Sequence, residues 1–168
     1  MKGANLPMDI WTERLQPRHL PLMEQWVGRT DGAVTPNDLP QDAGALTVWL
    51  ETCAEEPGRQ DYLITVYDTP VGVAGFRRGG QDTAELYLML GEVQYNLLRT
   101  ATYAVQRVLD HAFQNAGLDR ATVKVYRRYA KLLEALERMG FIQDAQQDDR
   151  AVFLAIEKNA FRSRKYLF

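Results

Sequence analysis

Apolar residues recur at three- and four-residue spacing over residues 97–116, where Leu97, Ala101, Ala104, Val105, Val108, Leu109, Ala112 and Phe113 fall on one face of a helix. Gly117 supplies its C-terminal stop. Shorter stretches share this period: 18–28 through Leu20, Met23, Trp26 and Val27, 45–57 through Leu46, Trp49, Leu50 and Cys53, and 130–140 closing at Gly140. Strand-like runs lie between them. Residues 9–17 alternate around Ile10 and end at Pro17, and 61–80 hold two β-rich runs about Asp68-Thr69-Pro70, which predicts a hairpin. Residues 83–90, 120–126 and 151–158 complete the strands, and 29–44, rich in Pro, Gly and turn formers, reads as a loop.

This order is an antiparallel meander followed by two strand–helix units. It predicts a mixed α/β fold of one domain over 1–168, with a central twisted sheet flanked by helices.

Composition narrows the function classes. A net charge of −2, with both signs mixed along the chain, argues against bulk attraction to nucleic acid or an anionic membrane and leaves room for a local basic pocket. Cys53 is the only cysteine, so no internal disulfide forms, and a small buried hydrophobe is the expected role. His19 and His111 lack ligand-spaced partners, so no metal centre is expected. The start "MKGANLPMDIW" lacks the apolar core of a signal peptide and nothing nears a spanning run, which makes the cytoplasm the expected location.

Several phrases resemble the Gcn5-related N-acetyltransferase (GNAT) superfamily. "TPVGVAGFRR" is similar to its second and third strands and "AELYLML" to its fourth. "VLDHAFQNAGLDRATVKVY" matches a helix, Gly turn and fifth strand, and "LLEALERMGF" a closing helix with its Gly-Phe. The likeness spans residues 10–158. It implies a GNAT-like acyl-CoA N-acyltransferase fold. The implied reaction moves an acetyl group from acetyl-CoA to a primary amine of a small molecule, such as an amino sugar, an amino acid or a peptide N-terminus. It also implies that the fourth and fifth strands splay. Pantetheine would then pair with the backbone of Leu88, Met89 and Leu90 like an added strand, and the pyrophosphate would sit on N–H groups where the next helix begins.

The family's loop motif, Q/R-x-x-G-x-G/A, falls on "NLLRTA" at 96–101. Leu98, Arg99, Thr100 and Ala101 are therefore the implied phosphate contacts, with Arg99 and Ala101 standing where the family has small residues. Tyr129 falls where relatives often have a CoA-contacting Asn. The family's usual general-acid tyrosine, five residues before the Gly-Phe phenylalanine, is replaced by Leu136.

Acetylating a protonated amine needs a base, and the departing thiolate can take an acid. Glu85, opening the fourth strand, is the candidate base, and Tyr126, ending the fifth, the candidate acid. Arg99 stands in a first helical turn, where the dipole disfavours a cation and a bound anion would reverse the sign. Trp26, Asn37 and Asp38 are the candidate acceptor-binding residues, in and beside the 29–44 loop. Each has a plainer reading: an exposed carboxylate, a solvated arginine, tryptophans anchoring a core, and His111 as a half-buried structural histidine. Two other functions remain open: a degenerate interaction domain, and an acyltransferase fed by a carrier protein or aminoacyl-tRNA, with slight acidity making tRNA the poorer donor. The apolar tail "FRSRKYLF" is expected to pack on something, a second copy in a homodimer included.

Overall fold

The strand-forming runs assemble into one seven-stranded sheet in the computed structural model, which describes residues 9–27, 35, 38–40, 42–91, 97–144 and 149–161. The elements are β1 (Ile10–Arg14), α1 (Leu20–Trp26), α2 (Leu46–Glu55), β2 (Gln60–Val66), β3 (Thr69–Gly80), β4 (Thr83–Leu90), α3 (Leu97–Asp110), β5 (Arg120–Tyr126), α4 (Ala130–Met139), β6 (Ile142–Gln143) and β7 (Ala151–Glu157). The sheet order is β1-β2-β3-β4-β5-β7-β6. Only β4 and β5 run parallel; every other neighbouring pair is antiparallel. Among the described residues no helix is long and apolar enough to cross a membrane.

Three local features differ from the sequence reading. The β2–β3 turn is Tyr67-Asp68, with φ of 48° and 68°, because two-residue hairpins need left-handed residues to match strand twist. Pro70 already belongs to β3, where a register irregularity at Ile64/Thr65 accommodates a residue without an N–H. The long helix changes period near its end, and His111–Asn115 form a π turn closed by Ala116 N–H to the His111 carbonyl. The two-residue edge strand β6 was not foreseen, since both its side chains are exposed and it is too short to show a period.

Two apolar layers sandwich the sheet. On one face α3, its π turn and α4 bring Leu109, Phe113 and Leu136 against Phe76, Leu88 and Val125. On the other, α1 and α2 bring Met23, Trp26, Leu46, Trp49 and Cys53 against Leu63, Val73 and Met89. Cys53 is buried as expected; burial, then the nearby Asp61 charge, pushes its thiol up to about 12. Along β4, Leu86, Leu88 and Leu90 join the first layer and Met89 the second. A strand reads this way when both faces are covered.

One glycine shapes the α1/α2 face. Asp61 on β2, Gly75 on β3 and Tyr87 on β4 are register partners. With no side chain at Gly75, the Tyr87 ring crosses β3 and its hydroxyl donates to Asp61 Oδ1 at 2.6 Å. A Cβ at Gly75 would overlap the Gln60 carbonyl oxygen and stand 3.0 Å from Tyr87 Cε1. Gly75→Ala is therefore expected to lower unfolding free energy by about 1–3 kcal/mol, the usual cost of overpacking. Urea denaturation measures this, and an unchanged midpoint would contradict the close approach.

Both histidines are structural. His111 stacks on Tyr62, centroids 4.3 Å apart and 11° from coplanar, and shares hydrogen bonds with Thr12 Oγ1 and Asn115 Nδ2. His19 is buried and its Nδ1 accepts the Gln16 N–H. Burial lowers both pKa values; Arg107 and Arg14 add to this at His111, while Glu13 only partly opposes it at His19. The unfolded chain then takes up protons from about pH 6.5 downward before the folded chain does. Stability is full above that pH and falls as pH drops through the folded values. The urea midpoint should decrease between about pH 7 and pH 5, and the double variant His19→Gln/His111→Gln should show a flatter decrease. Parallel profiles for the two proteins would assign acid sensitivity elsewhere.

Candidate functional site

The parallel ladder between β4 and β5 is short. It pairs Thr83 with Arg120, Ala84 with Ala121, Glu85 with Thr122 and Leu86 with Val123, and then stops. Both strands continue, β4 to Leu90 and β5 to Tyr126, so they part beyond Leu86 and Val123. A cavity of about 650 Å³ opens there; Glu85, Tyr87, Thr122, Lys124 and Phe153 contribute to its wall.

Parting two strands strands their backbone groups, which must find other partners. Thr35, from the connection between α1 and α2, takes both groups of Leu88. The Leu88 N–H donates to Thr35 Oγ1 at 2.8 Å, and Thr35 N–H donates to the Leu88 carbonyl at 3.3 Å. Thr35 is 2% exposed. A polar residue from a loop is thus enclosed against the open edge of β4.

The same connection is tied down a second time, three residues later. Asp38 forms a two-pronged pair with the Arg59 guanidinium, at 2.9 and 3.1 Å. Arg59 Nε also reaches both Asp61 oxygens at 3.1 Å, and the guanidinium lies over the Trp49 and Tyr87 rings. Its side chain is 2% exposed. Burial works against the charge on Arg59, but the Asp38 hydrogen bonds and the Asp61 charge outweigh it and raise the pKa further. Burial raises the Asp61 pKa, with Tyr87 and Arg59 opposing, and burial followed by the Asp61 charge holds Tyr87 firmly as a phenol. At Asp38 burial is outweighed by the Arg59 hydrogen bonds, so its pKa is lowered. Removing one member of such a buried set leaves an uncompensated charge, at a cost of about 3–5 kcal/mol.

The candidates named from sequence scatter around this geometry. Glu85 is exposed on the cavity wall, and its carboxylate lies directly over Gly79, where any Cβ would overlap it. Leu88, Met89 and Leu90 are buried on β4 beyond the parting point. Leu98 and Arg99 are half-buried in the first turn of α3, and Thr100 and Ala101 are buried behind them. Tyr129 precedes α4, with the Arg128 guanidinium 4.9 Å from its ring centroid. Asp38 borders the cavity, but its carboxylate is engaged by Arg59.

One candidate needs correction and another stands apart from the cavity. Trp26 is 1% exposed, packed in the α1/α2 layer with its ring against Gly91, so it is a core anchor rather than an acceptor contact. Tyr126, half-buried at the end of β5, is not among the residues lining the cavity, and its ring is faced by the Arg128 and Arg150 guanidiniums at 4.8 and 5.9 Å. Asn37 and residues 92–96 of the candidate phosphate loop fall outside the described residues, as does the tail 162–168.

Sequence reasoning missed Arg59, Asp61, Tyr87, Thr35 and Lys124. One signal was present: "RQDYLITV" puts two opposite charges two residues apart at the start of a strongly apolar strand, so they share a face. Thr35 and Lys124 carried none.

The comparisons agree with this architecture. A family model described as an acetyltransferase (GNAT) domain matches residues 11–142. No curated protein matches the chain. Among solved structures, a spermidine N-acetyltransferase from Vibrio cholerae in complex with CoA and spermine superposes with a TM-score of 0.76 at 12% identity, covering 90% of this chain and 96% of that one. A mutant of the spermidine N-acetyltransferase SpeG from the same organism gives 0.74 at 11% identity, covering 93% and 98%. At such identities the likeness is one of fold. The matched model spans most of the chain, and with the parted β4 and β5 it shows that this protein belongs to the GNAT acetyltransferase family.

Proposed function

We propose that the protein is an acetyl-CoA-dependent N-acetyltransferase acting on a primary amine of a small molecule. The observation that carries this reading is the parting of β4 and β5 after Leu86 and Val123, with a cavity opening on the gap. The residues beyond it fit the co-substrate. Leu88 and Leu90 alternate with residues bonded to β3, so their backbone groups face the gap and suit pantetheine amides. The start of α3, with Leu98, Arg99, Thr100 and Ala101, is the next element after β4 and suits the pyrophosphate, and Tyr129 stands on the β5 side of the gap. Bound there, acetyl-CoA supplies an activated acetyl thioester.

The chain's own groups do the rest. Holding donor and amine together contributes on the order of 7–11 kcal/mol. Glu85, on the cavity wall beside the parting point, receives the proton that the amine must lose. The position of the family's acid is taken by Leu136, which is fully buried and has no proton to give. A thiolate leaves far more readily than an alkoxide, so the missing acid is tolerable. Thr35 occupies the Leu88 groups that pantetheine would use, so co-substrate binding displaces it.

Calorimetry with CoA and acetyl-CoA tests the reading; no heat at millimolar ligand would favour a non-catalytic interaction domain. Thr35→Ala removes a competitor for Leu88 and is expected to tighten CoA binding roughly two- to tenfold, the worth of about one hydrogen bond. Unchanged affinity would place pantetheine away from Leu88. Glu85→Gln should lower turnover by roughly 10²–10⁴-fold, the range for a lost general base, with CoA affinity unaltered. Turnover at the wild-type level would remove Glu85 as the base.

A further inference from the structure

The cavity at the parted strands is bordered by four cations, Arg59, Arg77, Arg120 and Lys124, and three carboxylates, Asp38, Glu85 and Asp144. Most hold one another or a neighbour. Arg59 is paired with Asp38 and Asp61, Arg77 with Glu56 at 3.0 Å, and Arg120 with Glu157 at 3.0 Å and Asp144 at 3.9 Å. Of these seven charges two have no ion pair or hydrogen bond among the described residues: Glu85 on β4 and Lys124 on β5.

Their placement is specific. Glu85 is the register partner of Thr122, and Lys124 is two residues beyond Thr122, so both side chains leave the sheet on the same face. They are diagonal neighbours across the end of the ladder, one on each of the parting strands. Their side chains turn apart. The Glu85 carboxylate lies over Gly79 on β3, and Lys124 Nζ lies 4.6 Å from the Phe153 ring centroid on β7. The gap between an exposed anion and an exposed cation is the part of the cavity over the point where the strands separate.

Resting on the acetyltransferase reading above, we infer that the acceptor is a zwitterionic amino acid, its amine directed to Glu85 and its carboxylate to Lys124. The Thr122 hydroxyl, on the cavity wall between them, is placed to donate to the same carboxylate. This arrangement brings the amine to the proposed base and holds the molecule by its other end, so orientation and deprotonation come from one docking event. A polyamine fits the same groups poorly. With one ammonium at Glu85, its next would extend towards Lys124, where like charges repel. In this respect the cavity differs from what a spermine-binding acetyltransferase needs, although the folds superpose.

The test is a free-thiol release assay with acetyl-CoA across the free protein amino acids, their carboxamides and spermidine. At least one amino acid should show a kcat/KM roughly tenfold or more above both its carboxamide and spermidine, the discrimination expected from one ion pair worth about 1.4 kcal/mol. Lys124→Met should bring the acid-to-amide ratio close to one without changing the KM for acetyl-CoA. Lys124→Glu should invert the preference in favour of the carboxamide and spermidine. Lys124 is exposed and makes no ion pair, so an unchanged thermal midpoint in both variants separates lost recognition from lost folding. Equal or better use of spermidine or the carboxamides by the wild type, or discrimination that survives in Lys124→Met, overturns the inference. Calorimetric titration of the protein with the same amino acids and carboxamides, without acetyl-CoA, keeps the two readings apart. If CoA neither binds nor turns over, the acetyltransferase reading fails. The acceptor class is then decided by whether amino acids alone bind, and bind more weakly to Lys124→Met.

Discussion

Everything about this molecule's site depends on two parallel strands that stop pairing while both continue. Unpaired backbone groups inside a sheet are costly, and β4 and β5 tolerate the gap because each is held along its other side. β4 pairs with β3 from Thr83 to Leu90, and β5 pairs with β7 from Arg120 to Tyr126 without interruption. The apolar layer under α3 and α4 then packs Leu88 and Val125 from the two parted strands into one cluster. Side-chain packing thus continues where the hydrogen-bond ladder does not. An opening made this way is rigid on both sides, which is what positioning two reactants requires.

The second constraint is electrostatic. Burying Arg59 beneath the connection between α1 and α2 is unfavourable unless its donors are used, and Asp38 and Asp61 use them. The consequence is mechanical. Asp38 fixes the connection over the α1/α2 face, and Thr35, three residues earlier, fixes it to the Leu88 edge. One short segment therefore touches both the strand proposed to hold the co-substrate and the wall of the cavity proposed to hold the acceptor. Gly75 belongs to this arrangement although it touches no ligand, because only its missing side chain lets Tyr87 reach Asp61 across β3.

What the sequence made legible follows from range. Helices and strands with a clear period appeared where expected, since the period reports a covered face and the coverage is local to each element. The parallel β4–β5 pair and its splay were reachable only through family resemblance. No residue pattern says where a ladder ends; that is settled by what the next strand and the helix beneath it hold in place. Glu85 was legible because a carboxylate opening an apolar strand stands out. Trp26 was misread because a large aromatic beside a loop looks the same in sequence whether it floors a pocket or, as here, closes a core against Gly91. Arg59 and Asp61 were passed over although their opposite charges two residues apart share a face, because the decisive partner, Asp38, lies 21 residues before Arg59.

Charge composition alone would describe the cavity as mildly basic, with four cations facing three carboxylates. Pairing changes that description. A guanidinium already bridged by two carboxylates presents little field and few donors to a ligand, whereas an exposed ammonium without a partner keeps all three of its donors. An acceptor of the proposed kind would therefore meet Glu85 and Lys124, not the sum of the seven charges. Leaving both exposed costs little while water solvates them, and a ligand that replaces that water with matched charge recovers their interaction at lower dielectric. Because β4 and β5 are held apart by their outer partners, these two side chains stand on separate rigid strands. The spacing they offer is set by the sheet, and the loop connecting α1 and α2 does not have to define it.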